Sequence, residues 1–209
     1  MTKILIADDH SAIRNGVRHI LSGEFSFIEF AEASDVADCL RYLVTNEFDI
    51  LILDIDLPGR NGFEVLSTIQ SLNLKTKTLI FSFHKEEQIA LRSYKNGAFG
   101  YLNKDIADKE LIQAVNQILA GKKYITPQIS ELLLQNLNHP EKVAPHETLS
   151  NREFQTLLLI ASGKSVSEIA TELSLSLPTI STYRARILEK MQMKNNAELT
   201  NYVYKNNLL

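Results

Sequence analysis

Over residues 1–121, short and nearly continuous apolar runs alternate with stretches of helical periodicity, and few folds accommodate that alternation. Ile4 to Ala7, Ile28 to Ala31, Ile50 to Leu53, Thr78 to Phe83 and Phe99 to Leu102 read as strands, several too uniformly apolar to have one face in water. Ile13 to Leu21, Val36 to Val44, Gly62 to Leu72, Glu86 to Tyr94 and Lys109 to Ala120 read as helices. Strands and helices in strict alternation imply βαβ units, and so a doubly wound, five-stranded parallel sheet covered on both faces.

The pattern then changes. Gly121-Lys122-Lys123 ends the fifth helix, and Asn138 to Thr148 holds Pro140 and Pro145 with few large apolar residues, as a linker would. Between them Ile129 to Leu137 is expected to form a short helix. The domains are therefore expected at 1–121 and 146–209, with 122–145 as linker. The tail reads as all helical. Ser150-Asn151-Arg152-Glu153 and Ser165-Val166-Ser167-Glu168 are capping boxes, in which a hydroxyl and a glutamate three residues on satisfy each other's backbone donors. Gly163 ends the first tail helix, Leu173 to Leu177 is a tight connection, and Pro178 falls in a first helical turn, where its missing N–H costs nothing. Two short helices joined this way describe a helix-turn-helix.

Composition narrows the function class. At 209 residues with 44% apolar and 22% charged side chains the chain is of ordinary globular type, and no apolar run is long enough to span a bilayer. Met1-Thr2-Lys3 leads straight into a strand rather than a signal peptide, and a lone Cys39 excludes a disulfide framework, so a cytoplasmic protein is expected. The formal net charge of −3 argues against nucleic acid as a partner only when taken over the whole chain. Residues 1–121 carry 17 acidic against 12 basic side chains, whereas residues 146–209 carry 7 basic against 6 acidic.

In open parallel sheets ligands bind beyond the carboxyl ends of the strands. Asp8 and Asp9 follow the first strand and Asp54 the third, while Ser82 ends the fourth and Lys104 follows the fifth. Clustered carboxylates repel unless a cation neutralises them, and hard oxygen donors suit Mg2+. A phosphoryl group on one carboxylate would meet metal, ammonium and hydroxyl already in place. Here residues 1–121 resemble the receiver domain of bacterial two-component response regulators, through Asp8-Asp9-His10, Leu53-Asp54-Ile55-Asp56-Leu57-Pro58-Gly59, Ser82 and Gly100-Tyr101-Leu102-Asn103-Lys104. The resemblance implies a flavodoxin-like fold with Asp54 as phosphoacceptor from a sensor histidine kinase. Asp9, Asp54 and the backbone carbonyl of Asp56 would ligate Mg2+, with Asp8 acting through water. It further implies that Lys104 pairs with the phosphoryl oxygens and that Ser82 and Tyr101 form the switch, although on periodicity Tyr101 is equally an ordinary core residue. Ser82 stands where threonine is frequent. The resemblance also implies that Asp56 and His84 occupy positions that tune phosphoryl lifetime, where an acid either repels an attacking anion or orients water. His10 reads as a loop or helix-start residue.

Projected at about 100° per residue, the third tail helix buries Ile180, Tyr183, Ile187 and Met191 and turns Ser181, Thr182, Ala185, Arg186 and Glu189 outward. Small side chains at 181, 182 and 185 suit entry into a major groove, and Arg184, Arg186, Lys190 and Lys194 can reach phosphates. Residues 146–209 resemble the LuxR-type helix-turn-helix of the NarL/FixJ subfamily, through Leu149-Ser150-Asn151-Arg152-Glu153, Gly163-Lys164-Ser165, Glu168-Ile169-Ala170, Leu175-Ser176, Thr179-Ile180 and Lys190-Met191. Tyr183 stands where that family often has histidine, and the tyrosine is a feature shared with its BvgA- and EvgA-like members. The resemblance implies a homodimer, formed when phosphorylated, on inverted-repeat DNA, with the last helix around Leu199 to Val203 as a dimer contact.

The chain is thus expected to be a phosphorylation-controlled transcription regulator, and not an enzyme beyond its own phosphorylation and dephosphorylation. Two other readings stay open: a phosphoryl sink with vestigial DNA binding, and a DNA-binding regulator independent of phosphorylation.

Overall fold

The computed structural model describes residues 1–58, 62–83, 87–105, 108–138, 144–206 and 208–209. Gly59, His84 and Pro140 lie outside the described residues. The chain divides into two compact units, Met1–Leu132 and Leu133–Leu209.

The first unit is a parallel sheet of β1 (Thr2–Ala7), β2 (Ile28–Ala33), β3 (Ile50–Leu53), β4 (Lys77–Ser82) and β5 (Gly100–Asn103), in the order β2-β1-β3-β4-β5. Helices α1 (Ser11–Glu24), α2 (Val36–Thr45), α3 (Gly62–Ser71), α4 (Glu87–Lys95) and α5 (Asp108–Leu119) connect them. Every residue of β3 is buried, as its unbroken Ile-Leu-Ile-Leu run requires of a central strand. Ile4, Ile6, Ile50, Ile52, Leu79 and Phe81 point to one face and pack with Val17 and Leu21 of α1 and Leu111, Val115 and Ile118 of α5. Leu5, Leu51 and Ile80, one residue along, are equally buried on the opposite face. Cys39 sits in that core, where burial, helped by the charge of Asp35, pushes its thiol up to about 12 and leaves it unreactive.

Ends of elements differ from the sequence expectation by one to three residues. β2 runs on to Ala33 through Glu32, whose carboxylate on this edge strand is taken by Arg14 and Arg18. The larger difference lies past α5. Tyr124 belongs to the first unit's core: its amide bonds the Phe99 carbonyl at 2.8 Å and its own carbonyl accepts from the Tyr94 hydroxyl at 2.5 Å. The stretch 122–145, expected as linker throughout, therefore begins with residues that extend the β5 edge. The expected short helix there runs Pro127–Asn138 (α6).

The second unit continues through a 3-10 turn, Pro145–Thr148, to α7 (Asn151–Ala161), α8 (Val166–Glu172), α9 (Leu177–Lys190) and α10 (Asn196–Lys205). Both capping boxes form, at Ser150 with Glu153 and at Ser165 with Glu168. Ser174, at φ +52°, turns the chain sharply between α8 and α9, and Pro178 sits in the first turn of α9. Ile169, Ile180, Ile187, Leu199 and Val203 are fully buried between the helices. No helix among the described residues is long and apolar enough to cross a membrane.

Candidate functional site

The carboxyl edge of the sheet gathers the acids. The Asp8 amide bonds the Ala33 carbonyl and the Asp54 amide the Ala7 carbonyl, so both residues prolong the ladder before their chains leave it. Ligand atoms of Asp8, Asp9, His10 and Asp54 all lie within 4.8 Å of one another. Asp8 and Asp54 are buried, while Asp9 and His10 face solvent. The Lys104 ammonium reaches in from the end of β5 and lies 2.6 Å from Asp8 Oδ2 and 2.6 Å from Asp54 Oδ2, its side chain 0% exposed. Burial opposes the ammonium's charge, but the two carboxylates outweigh it and raise its pKa. Burial raises that of Asp54 against the pull of Lys104. Three acids and one base leave an excess of negative charge at a half-buried rim, which is what a divalent cation with oxygen donors offsets.

Around this core the loops are held tightly. Asp54 Oδ1 accepts from the Asp56 amide at 3.1 Å and Asp8 Oδ1 from the His10 amide at 2.8 Å, so each carboxylate keeps its other oxygen for Lys104. His10 Nδ1 lies 2.7 Å from Asp9 Oδ1. Ser82 is fully buried at the end of β4, its carbonyl taking the Lys104 amide at 2.8 Å, and Tyr101 is 8% exposed on β5. The Asp56 side chain is exposed.

Two supports of this site escaped the sequence reading. A Cβ on Gly62 would stand 2.7 Å from the Asp54 carbonyl oxygen and 2.9 Å from the Ile55 Cα, so only glycine lets α3 close onto the Asp54 loop. Arg14 bonds the Asp8 carbonyl at 2.8 Å and Glu32 at 2.9 Å, and Arg18 also pairs with Glu32, which pins the loop after β1 to the β2 edge. Glycine in a helical start pattern is a weak hint; the Arg14–Glu32 pair, 18 residues apart, had none.

In the second unit α9 turns Ser181, Thr182, Ala185, Arg186 and Glu189 outward, and Lys194 beyond it is exposed. Arg184 and Lys190 have partners within the protein: Arg184 Nε bonds Asn196 Oδ1 at 2.6 Å, and Lys190 Nζ bonds Glu153 Oε2 at 2.6 Å. Glu153 is the buried capping-box residue of α7, so one carboxylate both starts α7 and braces the end of α9. Burial pushes its pKa up, but the hydrogen bonds from Lys190 and Ser150 prevail and hold it below the ordinary glutamate value. A depressed carboxylate stabilises the fold above its unfolded pKa and ceases to do so as pH falls through its folded pKa. Glu153→Gln is accordingly expected to lower stability by about 1.5 kcal/mol at neutral pH, the lower end for a charged hydrogen bond because Lys190 is partly exposed. The loss should shrink on acidification, which thermal melts at stepped pH measure; an equal loss at every pH would refute it.

Residues 4–116 match the response regulator receiver domain, and residues 147–203 match the bacterial regulatory proteins of the luxR family. Response regulator UvrY of Escherichia coli (strain K12) is 32% identical over 209 residues, which is 100% of this chain and 96% of that protein. Response regulator GacA of Pseudomonas aeruginosa is 32% identical over 200 residues, 95% of this chain and 94% of that protein. Two structures of RcsB on DNA, one of them with two dimers on two parallel DNAs, each share 25% identity at a TM-score of 0.60, covering 97% of this chain and 98% of theirs. With a receiver fold, an acidic pocket at its carboxyl edge and a helix-turn-helix after it, the chain belongs to the two-component response regulators of NarL/FixJ type, which regulate transcription through a LuxR-type DNA-binding domain.

Proposed function

We propose that Asp54 accepts a phosphoryl group from the phosphohistidine of a sensor histidine kinase, and that this modification controls dimerisation and sequence-specific DNA binding by the second unit. The observation that carries it is the Lys104 ammonium seated between Asp8 and Asp54 at the carboxyl edge of the sheet. In the transfer an Asp54 oxygen attacks phosphorus, the P–N bond breaks, and the histidine nitrogen leaves with its electron pair. Asp9, Asp54 and the Asp56 carbonyl would hold Mg2+, with Asp8 reaching it through water, and the ion would neutralise charge on the phosphoryl oxygens; the closeness of the Asp8, Asp9 and Asp54 oxygens supports this. Lys104, 2.6 Å from Asp54 Oδ2, follows one of those oxygens as the carboxylate becomes an acyl phosphate. Ser82 and Tyr101, buried on neighbouring strands, then carry the change away from the site as its switch.

On the DNA side, Ser181, Thr182 and Ala185 face the bases, and Arg186 and Lys194 meet phosphates. Arg184 and Lys190 act first as braces for α9 and only at its edge as phosphate contacts. RcsB's dimers on DNA support a homodimer on DNA, and the site it takes is an inverted repeat. The functional units are the receiver, residues 1–121 with the Tyr124 segment packed against it, and the DNA-binding residues 146–209, and the protein works in the cytoplasm.

The test is a phosphate-sensitive gel after incubation with acetyl phosphate and Mg2+, followed by gel shift on promoter fragments. No modified species, or DNA binding unchanged by modification, overturns the control; no salt-dependent binding in either state overturns the DNA function. Arg186→Ala is expected to weaken all sequences alike and to lower the salt slope by about 1. A changed consensus in its footprint would instead make Arg186 a base reader.

A further inference from the structure

Over the first two turns of α9 the side chains able to hydrogen-bond are hydroxyls alone, with no arginine, lysine, asparagine or glutamine among them. The Ser176 hydroxyl caps the helix and shares a 2.7 Å hydrogen bond with the Thr179 hydroxyl. Thr182 Oγ1 donates back to the Pro178 carbonyl at 2.9 Å, which commits its proton to the helix backbone. The two long cations nearest the middle and end of the helix are drawn to Asn196 and Glu153. What remains outward over the first two turns is Leu177, 51% exposed, then Pro178, Ser181, Thr182 and Ala185. Leu177, Ser181 and Ala185 follow one another at four-residue spacing along one row of the helix. Leu177 leaves about half of an apolar side chain in water at the first turn, whereas the buried residues of α9 are Ile180 and Ile187.

Thymine is the one base that presents a methyl group in the major groove, and apolar side chains are what recognise it. We propose that this protein selects its half-site chiefly through thymine 5-methyl groups, packed against Leu177 at the helix start and Ala185 two turns on, with Ser181 between them. Leu177 is thereby a specificity residue. The inference rests on the DNA-reading function proposed above and names how that reading is done. It sets this helix apart from one that reads guanine through a bidentate arginine or lysine, because the first two turns of α9 carry neither, Arg184 and Lys190 are engaged within the protein, and Arg186 is assigned to phosphate.

Removing one methyl from each contacted thymine tests it. The full chain, phosphorylated with acetyl phosphate and Mg2+, is used to recover duplexes from a random pool, and the recovered duplex is resynthesised with deoxyuridine in place of thymine, one position at a time. Deoxyuridine keeps every hydrogen-bonding group and lacks only the methyl. Each contacted thymine is expected to lose about fourfold in affinity, the worth of about one buried methylene-sized group. Leu177→Ala should bind thymine and deoxyuridine duplexes equally at its own position while keeping the wild-type salt slope. Leu177→Met, which retains an apolar tip, should keep most of the discrimination. Wild-type affinity unchanged by deoxyuridine at every position overturns the proposal while leaving DNA binding intact. No enriched duplex at all brings down the DNA function, and this reading with it.

Discussion

Asp54→Asn chain incubated with acetyl phosphate and Mg2+ is expected to show no phosphorylated species on a phosphate-sensitive gel, where wild type shifts. The change is all or none because the amide lacks the anionic oxygen that must attack phosphorus. Asp9, though close by, is no substitute: the Lys104 ammonium bridges Asp8 and Asp54, and Asp9 stands on the solvent side with its oxygen against His10. The variant should fold. Removing one of three clustered acids relieves repulsion, while Asp8 keeps its 2.6 Å contact to Lys104 and the amide oxygen can still accept from the Asp56 backbone. Its melting temperature should therefore fall within a few degrees of wild type without metal, and rise less than wild type when Mg2+ is added, since a site with fewer anionic donors binds the ion less tightly. DNA affinity should stay at the unphosphorylated level in the presence of the phosphodonor. A shifted band in the variant would place the phosphoacceptor elsewhere; wild-type induction of DNA binding without a shifted band would favour a regulator that works without phosphorylation.

The sheet and the acid cluster were legible because both are written locally. A strand buried on both faces must be apolar at every position, and Ile50 to Leu53 is; the acids that follow β1 and β3 then come to one edge by the geometry of parallel strands alone. Capping boxes are as local, and both formed where a serine precedes a glutamate by three residues. The unread features depend on partners far apart in sequence. Lys190 counts as one more basic residue on a recognition helix until Glu153, 37 residues earlier, is found buried beneath it. Gly62 matters because of the backbone of Asp54 and Ile55, and no periodicity records a close approach between a helix start and a loop. Tyr124 lay within an apparent linker because its partners, Phe99 and Tyr94, are backbone and hydroxyl groups of other elements. Charge shows the same division. The whole-chain value of −3 reflects the acidic first domain and says little of α9, where even a local count of cations overstates those turned toward a partner.

Lys104→Met should be the most destabilising single change at this site and should make folding depend on Mg2+. Methionine fills a similar volume, so the effect is electrostatic rather than a cavity. The side chain it replaces is 0% exposed and lies between two carboxylates that are themselves 3% and 4% exposed. Truncating one member of a buried ion pair leaves the partner charged and desolvated, which costs about 3–5 kcal/mol. For a chain of this size about 3 °C is lost per kcal/mol, so the metal-free melting temperature should fall by about 10–15 °C. A divalent cation can then do what the ammonium did. Its stabilisation, which grows with binding to the folded state alone, should exceed that of wild type at the same Mg2+ concentration. The Asp54→Asn and Lys104→Met changes touch the same contact, so their double variant should be more stable than the sum of the two predicts. Melts of the four proteins, with and without Mg2+, decide this: additive losses, or a Lys104→Met chain as stable as wild type without metal, would mean that the ammonium does not hold the two carboxylates together. A coupled result would show that before any phosphoryl group arrives, the receiver holds its acidic cluster shut with the same lysine that is proposed to receive the phosphoryl oxygens.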